Sequence, residues 1–109
     1  MSKPVLSPEA VRDLEQIGDY IAFELRNKTA AGNVLRGIRK TIDSLRNFPE
    51  RGTPISEMSG RQMYRYLQSG NYLIFYTVSE GTAFVDRVLY AHRDYLAILF
   101  GIDSLEDDS

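Results

Sequence analysis

Apolar residues recur every third or fourth position at Val11, Leu14, Ile17, Ile21 and Leu25. That spacing predicts one amphipathic helix running to about residue 26. Its start is marked by Ser7 and Pro8, a side-chain cap followed by a proline at the first helical position. A second stripe, Val34, Leu35, Ile38, Ile42 and Leu45, predicts another helix, with Thr29 as its cap and Pro49 as its stop. The "NKT" at 27–29 between them is too short for anything but an antiparallel helix hairpin. Neither stripe can stay in water, so both must cover a further layer.

The second half of the chain supplies that layer. Residues 49–60, "PERGTPISEMSG", contain two prolines, two glycines and two serines, and predict a loop. The period then changes from helical to extended. "RQMYRYLQ" (61–68), "NYLIFYTV" (71–78) and "TAFVDRVLYA" (82–91) predict three strands. Gly70-Asn71 and Glu80-Gly81 between them predict two hairpin turns. Upstream, "KPVL" (3–6) predicts a short extended piece, and "DYLAILF" (94–100) a short closing helix capped by Asp94. The expected fold is α+β: a short N-terminal strand, then the helix hairpin packed on an antiparallel sheet, in the order β-α-α-β-β-β with a short C-terminal helix. In the middle strand Tyr72, Ile74, Tyr76 and Val78 should face one side, and Leu73 and Phe75 the other. Both faces are too apolar for water, so one takes the helices and the other meets the C-terminal segment or a partner.

Length and composition narrow the class. With 109 residues and 43% hydrophobic content the chain supports one domain, read as residues 1–102. There are no cysteines, which excludes disulfides, zinc–thiolate centres and a cysteine nucleophile. No signal peptide or membrane span is read, and a cytoplasmic protein is expected. Net charge is −2, but the tail at 103–109, "DSLEDDS", holds four acids. The body is therefore mildly basic and the tail acidic. The tail reads as a solvated, disordered end, or as a mask over a basic site.

Several stretches in the right order resemble the RelE/ParE superfamily of bacterial toxins. They are "SGNYLIFYTV" (69–78), "VDRVLYAHRDYLAILF" (85–100), "LSPEAVRDLEQIGDYIAFE" near the start and "LRNFPERGTPI" at the end of the second helix. The resemblance spans residues 3–100. Within the superfamily the pattern is similar to the ParE-like, plasmid-stabilisation branch. It implies the toxin of a type II toxin–antitoxin pair, neutralised by a cognate antitoxin, whose complex binds operator DNA through the antitoxin. ParE-like toxins inhibit DNA gyrase by binding; RelE-like toxins cleave messenger RNA on the ribosome. A third possibility is a degenerate toxin that only binds its antitoxin. The fold is common to all three, so only the site can choose.

Cleavage of the RelE kind needs a base for the ribose 2′-hydroxyl, cations for the phosphate and an acid for the leaving oxygen. No cofactor or metal is expected for any of these readings. Under the nuclease reading the catalytic residues are Arg65, Arg87 and His92. Arginine forks fit phosphate, and a histidine titrates near neutrality. Each has a plainer reading. Arg87 could pair with Glu57 or on the Asp86 side at a sheet rim, sharing a face with Val85 and Leu89. His92, the only histidine, could simply be a polar turn residue. The sheet half holds no lysine, and 51–95 carries five arginines against four acids, a thin surface for a ribosome-entering nuclease. Under the gyrase reading, the resemblance places target contact near the C-terminus, at Tyr90, Arg93 and Tyr95. Tyr64, Tyr66, Tyr72, Tyr76 and Tyr90 are either packing residues or base-stacking platforms.

Overall fold

A computed structural model describes residues 2–55, 63–92 and 98–99. The elements are β1 (Val5–Leu6), α1 (Pro8–Asp19), a π-helical turn (Tyr20–Glu24), α2 (Lys28–Asp43), a 3-10 turn (Ser44–Arg46), β2 (Thr53–Ile55), β3 (Tyr64–Ser69), β4 (Tyr72–Ser79) and β5 (Thr82–Tyr90). The five strands form one sheet in the order β1-β5-β4-β3-β2.

The helix starts obey side-chain chemistry. Ser7 Oγ accepts from the Ala10 amide at 2.9 Å, as its position before Pro8 predicts. The second cap is Asn27 rather than Thr29: its Oδ1 accepts from Ala30 N at 2.9 Å. The first helix does not run unbroken to residue 26. It widens into the π turn, with Leu25 N bonded to Tyr20 O, and the chain reverses at Arg26, whose φ is 54°.

The sheet differs from expectation in two places. It is mixed, because β1 runs parallel to β5 while the other pairs are antiparallel. From β1 the chain enters α1 directly through Ser7, rejoins the sheet at β2 on the far edge, and comes back beside β1 only at β5. Secondly, part of the expected 49–60 loop is β2, which pairs with β3 through Thr53↔Tyr66 and Ile55↔Tyr64. Pro54 concealed it, since proline is confined to edge positions of sheets, and β2 is an edge. The two turns are as expected; Glu80 and Gly81 both take positive φ, 50° and 79°.

One core joins the layers. Ala10 and Leu14 of α1 and Ile38 and Ile42 of α2 meet Leu45, Ile74, Tyr76, Ala83, Val85 and Val88. Tyr72 and Val78 pack against the same cluster, so the face assignment of β4 holds. Val11 and Leu25 of the first stripe are exposed instead, at 43% and 56%. Phe75, on the opposite face, is fully buried, with the Tyr66 ring 6.3 Å away. Of the expected closing helix only Ile98 and Leu99 are within the described residues, and both are helical. Asp94, Arg93, Tyr95 and the acidic tail lie outside them. Among the described residues no helix is long and apolar enough to cross a membrane.

Candidate functional site

The site is organised by an irregularity in β5. Phe75 of β4 faces Arg87, but Tyr76 faces Val85, so Asp86 is an extra residue. Such a bulge re-aims the side chains beyond it. It overturns the simple alternation that put Val85, Arg87 and Leu89 on one face. Val85 and Val88 both enter the core cluster instead.

The bulge also leaves main-chain groups on the outer edge of β5, beyond the short reach of β1. Each is met from the start of the chain. Ser7 N donates to Val85 O at 2.9 Å and Ser7 Oγ donates to Asp86 O at 2.8 Å. The Asp13 carboxylate accepts from Val88 N at 2.9 Å. The same carboxylate holds Arg87 in a two-point fork, Nε to Oδ2 and Nη2 to Oδ1, both 2.8 Å. Charge-assisted forks of this kind are the strong ones. The bond to Asp13 is the main cause that raises the Arg87 pKa above its ordinary value. Arg87 thus forms an ion pair, with Asp13 and not with Asp86; Glu57 lies outside the described residues. Asp86 accepts instead from the Tyr64 hydroxyl at 2.7 Å. Burial first, and then that bond and the Asp86 charge, push the Tyr64 pKa to about 12.

Arg65 is also engaged. Its Nη1 donates to Glu50 O at 3.0 Å and to Gly52 O at 2.9 Å. The turn it secures is completed by Gly52 N, which donates to the buried Tyr76 hydroxyl at 2.8 Å. A side chain at Gly52 would meet that hydroxyl at 2.5 Å and the Tyr66 carbonyl at 2.9 Å, so the close approach requires glycine.

The three residues of the nuclease reading are therefore not gathered. Arg65 and Arg87 sit on either side of β4, opposite Tyr76 and Phe75. His92 lies past the end of β5, beyond the Tyr72↔Tyr90 pair. Three residues of strand, roughly 10 Å, separate that pair from the Phe75–Arg87 row. His92 is exposed, and its ring lies 5.1 Å from that of Tyr90. Tyr90 in turn meets Tyr72 edge-on at 5.7 Å. The Tyr72 pKa is raised, by burial first and then by Tyr90 and Tyr20. Of the expected target contacts, Tyr90 is 42% exposed; Arg93 and Tyr95 lie outside the described residues.

This aromatic row forms one wall of a groove that sequence reading did not place. The groove, about 750 Å³, lies between the hairpin tip and the end of the sheet, and Ile17, Tyr20, Ile21, Val34, Tyr72 and Tyr90 line it. At the tip the π turn leaves Tyr20, Phe23 and Leu25 exposed, at 55%, 65% and 56%. The only sequence signal for it was Leu25, the last residue of a stripe that the π turn carries out of register. Among the described residues no cluster of potential metal ligands occurs.

These features can be set against known proteins. The chain superposes on a chain of the chromosomal ParDE TA system from P. aeruginosa with a TM-score of 0.66 at 16% identity, over 83% of this chain and 98% of that one. A weaker likeness, TM-score 0.42 at 17% identity over 79% of this chain and 88% of the other, is to the RelB-RelE antitoxin-toxin complex from Methanococcus jannaschii. No curated protein matches. The first superposition defines the fold, a helix hairpin on a small sheet, as one that a ParDE structure shares. The family model for the ParE toxin of the type II toxin–antitoxin system parDE matches residues 5–95, and the chain belongs to that family.

Proposed function

We propose that this toxin acts by binding, as an inhibitor of DNA gyrase in the cytoplasm with no chemistry of its own, and that a cognate antitoxin neutralises it. The observation that carries this reading is the engagement of both arginines. Arg87 is held by Asp13, and Arg65 by two main-chain carbonyls. Asp13 neutralises the charge of Arg87, and withdrawing Arg65 to a phosphate would release the turn at Gly52. The antitoxin is assigned to the groove at the hairpin tip. Apolar walls flanked by exposed aromatic residues suit an amphipathic segment with spaced apolar anchors.

One observation favours the second reading, an mRNA endonuclease on the ribosome: His92 is exposed and stands beside Tyr90. A paired assay separates the two. Purified toxin is added to gyrase supercoiling reactions and to programmed ribosomes. Inhibited supercoiling with intact mRNA supports binding. Codon-positioned cleavage with normal supercoiling replaces it with the nuclease reading, and His92 becomes the first residue to substitute. Inactivity in both assays points to a toxin that has kept only antitoxin binding.

A further inference from the structure

The two helices carry opposite charge. Residues 1–27 hold three basic and five acidic residues, whereas 28–51 hold six basic and only two acidic, Asp43 and Glu50. Positive charge therefore gathers on α2 and the turn after it. Arg36 and Lys40 are both exposed and lie one helical turn apart. Ser44 continues that line by another four residues, and it accepts a hydrogen bond from the Arg51 guanidinium. Three cations thus line one edge of the helix at axial steps of about 6 Å. No ion pair neutralises them among the described residues, where the only two pairs are Arg12–Glu9 and Arg87–Asp13. Arg36 is positioned by a 2.6 Å bond to Asn33 Oδ1, which leaves its charge unopposed.

At the end of this line is Phe48, exposed at 67%, the highest value among the large hydrophobic residues described. It borders an open depression of about 820 Å³ with Ser44, Asn47, Pro49, Glu50 and Arg51. An aromatic face left in water beside a row of cations has a specific chemical complement. Successive phosphates of an extended strand match the cations, and an unstacked base matches the ring. A duplex offers the phosphates but keeps its bases stacked. An acidic protein segment offers charge, but its carboxylate side chains carry no ring to stack on Phe48.

We propose that the outer line of α2 and the turn after it form a contact surface for single-stranded nucleic acid, with Arg36, Lys40 and Arg51 on phosphates and Phe48 under a base. This goes beyond the gyrase reading and does not depend on it, since the surface uses none of the residues placed there.

The test is fluorescence anisotropy with the full chain and three labelled probes: an oligo-dT and an oligo-U of about 12 nucleotides, and a short duplex. Both single strands should bind. Three phosphate contacts predict a roughly 20-fold loss of affinity between about 50 and 200 mM salt. The Arg36→Glu/Lys40→Glu variant should lose at least about tenfold at the lower salt, with a shallower salt dependence. Phe48→Ala should weaken binding about tenfold and leave the salt dependence unchanged. Arg12→Glu, on α1, should bind as wild type. All four positions are exposed, and unchanged circular dichroism and Tm would show that the variants fold. A preference for dT or U would name the source of the strand within the same surface. The proposal is overturned by no binding at low salt, by equal binding of the α2 variants, or by a duplex bound as tightly with Phe48 indifferent.

Discussion

Asp13 and Arg87 are 74 positions apart and meet through two 2.8 Å bonds, while Asp13 also accepts from Val88 N. One carboxylate on α1 thus does for β5 what a neighbouring strand would otherwise do. The side chains are only 9% and 25% exposed. Removing one partner strands the other in a site of low solvation. Asp13→Ala should cost about 3 kcal/mol of unfolding free energy, since it loses the salt bridge and also leaves a main-chain donor unmet. Arg87→Ala should cost somewhat less, because the Asp13 bond to Val88 survives. In urea denaturation the double variant should fall short of the summed single effects by at least ~1 kcal/mol. Strict additivity would mean that the pair does not couple the helix to the strand.

The approach of Gly52 to Tyr76 makes a second prediction. Gly52→Ala places a methyl where the Tyr76 hydroxyl and the Tyr66 carbonyl already are. Overpacking of this kind costs about 1–3 kcal/mol, read from the shift of the denaturation midpoint. Tyr76→Phe removes the acceptor for Gly52 N and should cost about 1 kcal/mol. A Gly52→Ala variant as stable as wild type would show that the turn relaxes freely.

Tyr64 makes stability depend on alkaline pH. Its folded pKa is raised to about 12 from 10.0, so the neutral hydroxyl is the form that the fold favours. Between those values the unfolded chain binds fewer protons than the native one. Stability is fully present below pH 10, falls as pH rises, and has lost this contribution above about 12. Tyr64→Phe should flatten part of that decline. Tyr72 and Tyr76, also raised by burial, act in the same direction. An identical decline in the variant would remove Tyr64 as its source.

The groove carries the prediction about the antitoxin. Tyr20→Asp puts a charge on its rim at a position 55% exposed in the toxin alone, so the fold should tolerate it. If an apolar partner segment lies there, affinity for the antitoxin should fall by at least about 30-fold in calorimetry, as for a central anchor. Wild-type affinity would move the antitoxin elsewhere.

Much of the fold was legible because it rests on local repetition. The spacing of Leu14, Ile17 and Ile21 and the alternation along Tyr72–Val78 each require one way of burying one face, whatever the neighbours are. Ser7 before Pro8 marks a helix start without any tertiary contact. The site was less legible. Arg65, Arg87 and His92 are chemically suitable for phosphate work, and composition alone could not tell an occupied arginine from an available one. Nothing in the sequence sets Asp13, beside the first stripe, apart from the other acids.

Those distinctions depend on an added residue in a strand. The bulge at Asp86 shifts the pairing of β5 against β4, and no pattern along β5 announces it, because its apolar residues continue on both sides. Once it exists, Val88 N needs an acceptor and Arg87 lies within reach of the one that Asp13 supplies. The π turn acts in the same way at the hairpin tip, turning the end of an apparent core stripe into an exposed rim. Periodicity along the chain determined the helices, the strands and the layer they share. Tertiary structure decided which charges are spent within the fold, because that depends on unmet main-chain groups that exist only after the elements have packed.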